Sequence, residues 1–185
     1  RACRPEDAYG RSKAEAEEAV RSVLGSTSVI LRAPLVYGPG VRANMRRLLK
    51  LICSGVPLPF ASIQNARSLL FVGNLAAAIA AALENPAAGG ETFLVSDGED
   101  LSTPELIRRL SSALDLRDRL VGFPPDLLRF LARVAGRSEE AGRLLDSLAV
   151  DSGKLRSHLS WKPPFSADAG FSRTAAWFKD HEKSV

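Results

Sequence analysis

Residues 5–13 read PEDAYGRSK and residues 28–40 read SVILRAPLVYGPG, and the fold turns on these two stretches. The second is β-branched and apolar almost throughout. It predicts a buried strand over 28–37, parallel to its neighbours in a sheet covered on both faces. Pro34 has no N–H to give to a ladder, so the strand must bend or end there. Gly38-Pro39-Gly40 is a turn. The first stretch opens a helix at Pro5 or Asp7 that runs through Tyr9, Lys13, Ala16 and Val20 and stops at Gly25.

Working outward, a helix is predicted over Asn44 to Ser54 with Gly55 at its C-terminal end. A strand follows over Ser68 to Val72, then an alanine-rich helix, Leu75 to Glu84, capped by Asn74. A third strand covers Glu91 to Ser96. Ser102 and Glu105 have the spacing of a capping box, with Pro104 between them, so a helix runs to about Leu114. Pro124 opens another with Leu127, Leu128 and Leu131 on one face. Asp151 caps a short helix, and Ser166 caps the last, whose stripe is Phe171, Ala175 and Phe178. The order is α/β, but three short strands cannot form a doubly wound sheet alone. The chain therefore reads as the C-terminal portion of a larger fold.

With 185 residues, 45% apolar and 25% charged, the chain can bury a core and is not a disordered segment. No run approaches the ~20 apolar residues of a membrane span, so no membrane partner is expected. The net charge is only +4. Its densest basic stretch, Arg42, Arg46, Arg47 and Lys50, reads as a solvated helix face, and no nucleic-acid partner is expected. Cys3 and Cys53 are too few for a disulfide framework and suit a reducing cytoplasm. His158 and His181 stand apart from acidic clusters, so no metal site is expected.

The chemistry sits in Tyr9-Gly-Arg-Ser-Lys13. Four residues apart on a helix means one face, about 5–6 Å between Cβ atoms. A free phenol titrates near 10 and is a poor base at neutral pH. A fixed cation beside it favours phenolate. Such a tyrosine can take a proton from an alcohol, or return one to an alkoxide, while hydride moves to or from a nicotinamide. The spacing alone fits an ordinary amphipathic helix equally well.

Context separates the two readings. YGRSKAEAE at 9–17, LRAPLVYGPG at 31–40 and RSLLFVGNLA at 67–76 follow one another in order. Together they resemble the extended short-chain dehydrogenase/reductases, in their NAD-dependent epimerase/dehydratase branch. FLVSDGEDLSTPEL at 93–106, with VDSGKL, WKPPFS and TAAWF near the end, resembles the nucleotide-sugar 4-ketoreductases and epimerases of that branch. The resemblance implies the end of a Rossmann-type lobe over 1–40 and a smaller, mostly helical α/β substrate lobe over 41–185. It implies NAD or NADP as cofactor, a nucleotide-sugar substrate (a UDP-sugar) and a possible homodimer through the helix carrying Tyr9.

Residue by residue, the resemblance makes Tyr9 the catalytic acid/base, with Lys13 tuning it and holding the nicotinamide ribose. Pro34 matches a position whose backbone meets the nicotinamide carboxamide. Asn44 matches a contact to the sugar-nucleotide. Leu58 to Phe60 match a loop along the base, where Phe60 can stack. Arg67 matches a diphosphate-binding arginine, its planar fork suited to phosphate oxygens, and Arg143 is a second candidate. Leu35, Ser68 and Phe71 depart from the usual Asn, Asp and His, so the sugar is left open. The family's glycine-rich phosphate turn is absent from these residues. A catalytically silent binding or sensor protein of the same superfamily is the alternative expectation.

Overall fold

The computed structural model describes residues 8–182, apart from the side chains of Glu139 and Glu140. The expected helix start at Pro5 or Asp7, and Cys3, lie outside the described residues. The elements run α1 (Ala8–Leu24), β1 (Ile30–Arg32), β2 (Leu35–Tyr37), α2 (Ala43–Cys53), β3 (Arg67–Phe71), α3 (Val72–Glu84), β4 (Thr92–Leu94), β5 (Asp100–Leu101), α4 (Thr103–Ala113), α5 (Pro125–Val134), α6 (Ser138–Leu145), α7 (Gly153–Leu159) and α8 (Ala167–Glu182). This is a mainly helical α/β arrangement with short strands.

The strand expected over 28–37 is two strands. Ala33-Pro34 interrupts the ladder, and the halves join different neighbours. β1 pairs in parallel with β4, Ile30 opposite Thr92. β2 pairs in parallel with β3, Leu35 opposite Leu69. The missing N–H of Pro34 is the physical reason for the change of partner. β1 is only half-buried, against the expectation of full burial. β5 adds antiparallel to β3.

β3 is the wall between two cores. Its side chains alternate. Leu69 and Phe71 join α2, α4 and α8 in one cluster, with Met45, Leu49, Ile107, Leu110 and Phe171 buried there. Leu70 points into the other, among Ala78, Ala82, Phe93, Leu155 and Trp161. The stripe expected on α8 is present, with Phe171, Ala175 and Phe178 all buried. The small residues of α3 let it lie close on the second cluster, as its composition suggests. Ser102 caps α4 by accepting the Glu105 amide, as its spacing predicts.

Asn74 is not the cap of α3. The helix begins at Val72 and Asn74 is fully buried in its first turn. Its amide donates to the Asp97 carboxylate at 2.7 Å and to the Phe165 carbonyl at 2.9 Å, and its own oxygen accepts the Phe165 amide. Asp97 also accepts the Tyr37 hydroxyl at 3.0 Å and the Phe71 amide at 2.9 Å. One carboxylate thus ties together β2, β3, α3 and the segment after β4. Burial and the Asp97 charge push the Tyr37 phenol far above its usual range. No helix among the described residues is long and apolar enough to cross a membrane.

Candidate functional site

Tyr9 stands in the first turn of α1, and 71% of its surface is exposed. The Lys13 ammonium lies over its ring, 5.6 Å from the centroid. Both side chains share one face of the helix, which is what four-residue spacing dictates. None of the described residues of α1 is buried. The helix is moored instead by polar contacts: Glu17 accepts a forked hydrogen bond from Arg32 of β1, with N–O distances of 2.9 Å and 2.6 Å, and Arg21 reaches the Thr92 hydroxyl on β4. The Arg32 hydrogen bond holds the Glu17 carboxyl below its usual value, against the opposing effect of its partial burial. The mooring ties the Glu17–Arg21 turns of α1 to the β1–β4 pair.

Pro34 lies where β1 ends and β2 begins, so it stands at the junction of the two sheets. The register of β2 on β3 puts it at the level of Ser68, one residue from Arg67. Arg67 opens β3 and is half-buried; its guanidinium donates to the Asp146 carbonyl at 2.7 Å. Burial draws the Arg67 guanidinium pKa down and the Asp146 charge opposes the shift. The backbone beside it is closed by a bridge to Leu148. Arg143 stands on α6, three residues before Asp146, so both arginines lie near the C-terminal end of that helix.

Asn65 builds that end. Its amide donates to the Leu144 and Asp146 carbonyls at 3.0 Å and 3.2 Å and to the Thr103 hydroxyl, while its oxygen accepts the Thr103 amide at 2.8 Å. It pins the C-terminus of α6 to the N-terminus of α4. Leu58 and its loop pair with the strand-like segment before α5. The Leu58 amide donates to Arg119, and the amides of Val121 and Ala61 donate back to Leu58 and Val121. The Leu58 side chain is buried in the first core, with Phe60 half-buried against it. Asn44 is half-buried in the first turn of α2, after Ala43 at φ +49°.

Tyr9 and Lys13 are thus together, as are Arg67 and the end of the helix carrying Arg143. The Leu58 side chain is in the core, and its amide and carbonyl are already bonded to Arg119, Val121 and Phe60. A separate open cleft of about 390 Å³, lined by Ser96, Gly98, Asp100, Asp151, Ser152 and Arg156 among others, contains none of the expected site residues. Asn65, Asn74 and Asp97 were not singled out as positioning residues from the sequence. Their partners lie 23 to 91 positions away, beyond the reach of any local pattern.

The model of the NAD dependent epimerase/dehydratase family matches residues 1–96. The chain is 42% identical over 178 residues to a UDP-glucose 4-epimerase of Vibrio cholerae, covering 94% of this chain and 54% of that protein. It is 26% identical to an N-acetyl-alpha-D-glucosaminyl-diphospho-ditrans,octacis-undecaprenol 4-epimerase of Escherichia coli O157:H7, covering 97% of this chain and 59% of that one. The chain therefore spans about half the length of the curated relatives it matches. Among solved structures, UDP-glucuronic acid 4-epimerase from Bacillus cereus in complex with NAD superposes with a TM-score of 0.73 at 22% identity, over 98% of this chain and 54% of that one. With its ordered motifs, its parallel strand pairs and a family model matched over more than half its length, the chain belongs to the NAD dependent epimerase/dehydratase family.

Proposed function

We propose that this chain supplies the acid/base helix and the substrate-side layer of an enzyme that changes a nucleotide-sugar, UDP-linked by analogy with the Vibrio cholerae relative, at one ring carbon. The observation that carries the reading is the Tyr9–Lys13 pair: an exposed phenol with an ammonium over its ring, on one face of α1.

The donors present suit the nicotinamide–ribose end of a dinucleotide, NAD or NADP. An exposed hydroxyl and a three-donor ammonium stand together, with the Pro34 junction beside the sheet. When bound, that group supplies the acceptor and donor of hydride. Tyr9 takes the proton from the sugar hydroxyl as the ring carbon is oxidised, and returns it when the ketone is reduced. Lys13 stabilises the negative charge on the Tyr9 oxygen and holds ribose hydroxyls. Arg67 keeps one guanidinium edge on the Asp146 carbonyl and turns its remaining N–H groups to the diphosphate, with Arg143 as the second cation. Asn44 and the Leu58–Phe60 loop contact the sugar and the base. Residues 1–40 then close the dinucleotide side and 41–185 form the substrate side, with β4 returning to pair with β1. The exposed Val20, Val23 and Leu24 of α1 support a homodimer contact there.

The test uses the intact protein with NAD or NADP and a panel of UDP- and dTDP-sugars, with products resolved by chromatography and NMR. Conversion at a ring carbon of a UDP-sugar is expected. Absence of turnover on every nucleotide-sugar, with dinucleotide still bound, would favour the silent binding protein instead.

A further inference from the structure

The helix α5 carries an apolar face that none of the described residues covers. Its ten residues contain none that is buried. Leu127, Phe130, Leu131 and Val134 are 44%, 60%, 49% and 72% exposed. Their i, i+3, i+4, i+7 spacing places all four on one arc of about 100°. Leu128 and Ala132, half-buried, mark the side packed on the protein, so Leu128 does not share the open face of Leu127 and Leu131 as its spacing suggests. The remaining arc is polar, with Asp126, Arg129 and Arg133, and Arg137 follows the helix end. Arg129 is held by Asp146 at 2.7 Å, while Arg133 and Arg137 stand exposed beside Val134, the most open of the apolar four.

The geometry points to an anionic lipid surface as the occupant of this face: α5 lies in the plane of a bilayer, its leucine and phenylalanine side chains among the acyl boundary and its arginines on lipid phosphates. Two arguments favour a bilayer over a second copy of the chain. The exposed apolar area of the four side chains is on the order of 400 Å², about half of the roughly 800 Å² a side that a stable dimer buries. A helix that is strongly two-faced, short of overall hydrophobicity and edged with arginine is the form that rests in a membrane interface. Guanidinium groups also pair with phosphate oxygens while their stems stay on apolar surface. The expectation of no membrane partner rested on the lack of a long apolar run, and a surface helix needs none. The inference stands apart from the catalytic reading.

Co-sedimentation of the intact protein with phosphatidylglycerol/phosphatidylethanolamine vesicles, and with phosphatidylcholine vesicles, tests it. The protein is expected to partition to the anionic vesicles, less so as salt rises. The exposed-site double variant Phe130→Glu, Val134→Glu is expected to lose roughly tenfold or more in partitioning, with its circular dichroism unchanged. No partitioning to anionic vesicles, or equal partitioning of the variant, would overturn the proposal. So would a native mass in light scattering that halves in the variant, which assigns the face to a second copy.

Discussion

Replacing Asp97 with alanine removes the acceptor on which two strands and a helix converge. The Phe71 amide, in a residue 2% exposed, loses both carboxylate oxygens, which lie at 2.9 Å and 3.1 Å. Asn74, fully buried, keeps Phe165 for one N–H and loses the partner of the other. Tyr37 keeps only the Ala167 carbonyl at 3.3 Å. A buried donor left unsatisfied costs about 1–3 kcal/mol. Two such donors and a weakened third amount to about 3–5 kcal/mol, a large part of the 5–15 kcal/mol typical of a domain. Asp97→Asn retains an oxygen for the Phe71 amide but turns an NH2 toward donors, so it should cost about half as much. Tyr37→Phe removes one donor and leaves the carboxylate its other bonds, costing about 1 kcal/mol. Urea unfolding of the intact protein, followed by far-UV circular dichroism, gives all three values. A loss below about 1 kcal/mol for Asp97→Ala would refute the argument that this carboxylate holds the strands and α3 together.

Three further outcomes follow from the same structure. Gly170→Ala should destabilise by about 1–3 kcal/mol, although alanine is the better helix former, because the added Cβ would meet the Tyr37 hydroxyl at 2.6 Å; a gain in Tm would contradict this. Glu17, Glu105 and Glu182 are all held below their usual value near 4.5 by hydrogen bonds from Arg32, from Arg109, and from Arg46 with Lys50. Their folded values are depressed, so their stabilisation is complete above about pH 4.5 and is lost as pH falls further. Tm should therefore fall between about pH 5 and pH 3, less steeply in Arg32→Met, and a flat Tm over that range would contradict it. Arg67→Lys should raise KM for a nucleotide-sugar roughly tenfold or more, with kcat little changed, since a point charge replaces a planar fork; an unchanged KM would remove Arg67 from the diphosphate site.

What could be read from the chain depended on whether the cause was local. The Tyr9–Lys13 pair, the Ser102 cap and the α8 stripe follow from spacings of three and four residues, and each is where its spacing puts it. Pro34 announced a break in the strand but not that the halves would choose different partners, because β3 and β4 arrive from distant parts of the chain. Asn74 looked like a cap since caps are the commonest use of asparagine before an apolar run. Its actual partner, Asp97, lies 23 residues on. The helix α6 went unseen because Ser138–Leu145 carries few apolar residues and is held from outside, by Asn65. Arg67 was legible only through resemblance to a family, and its environment only through the fold.

The central claim is that the exposed phenol on α1 moves the proton. It is tested most directly by the turnover of the Tyr9→Phe variant of the intact protein on its best nucleotide-sugar. Loss of the hydroxyl should lower kcat by roughly 10²–10⁴-fold with the fold intact and substrate binding little altered. Turnover within about twofold of the parent would contradict the account, because no proton that Tyr9 carries could then lie on the reaction path.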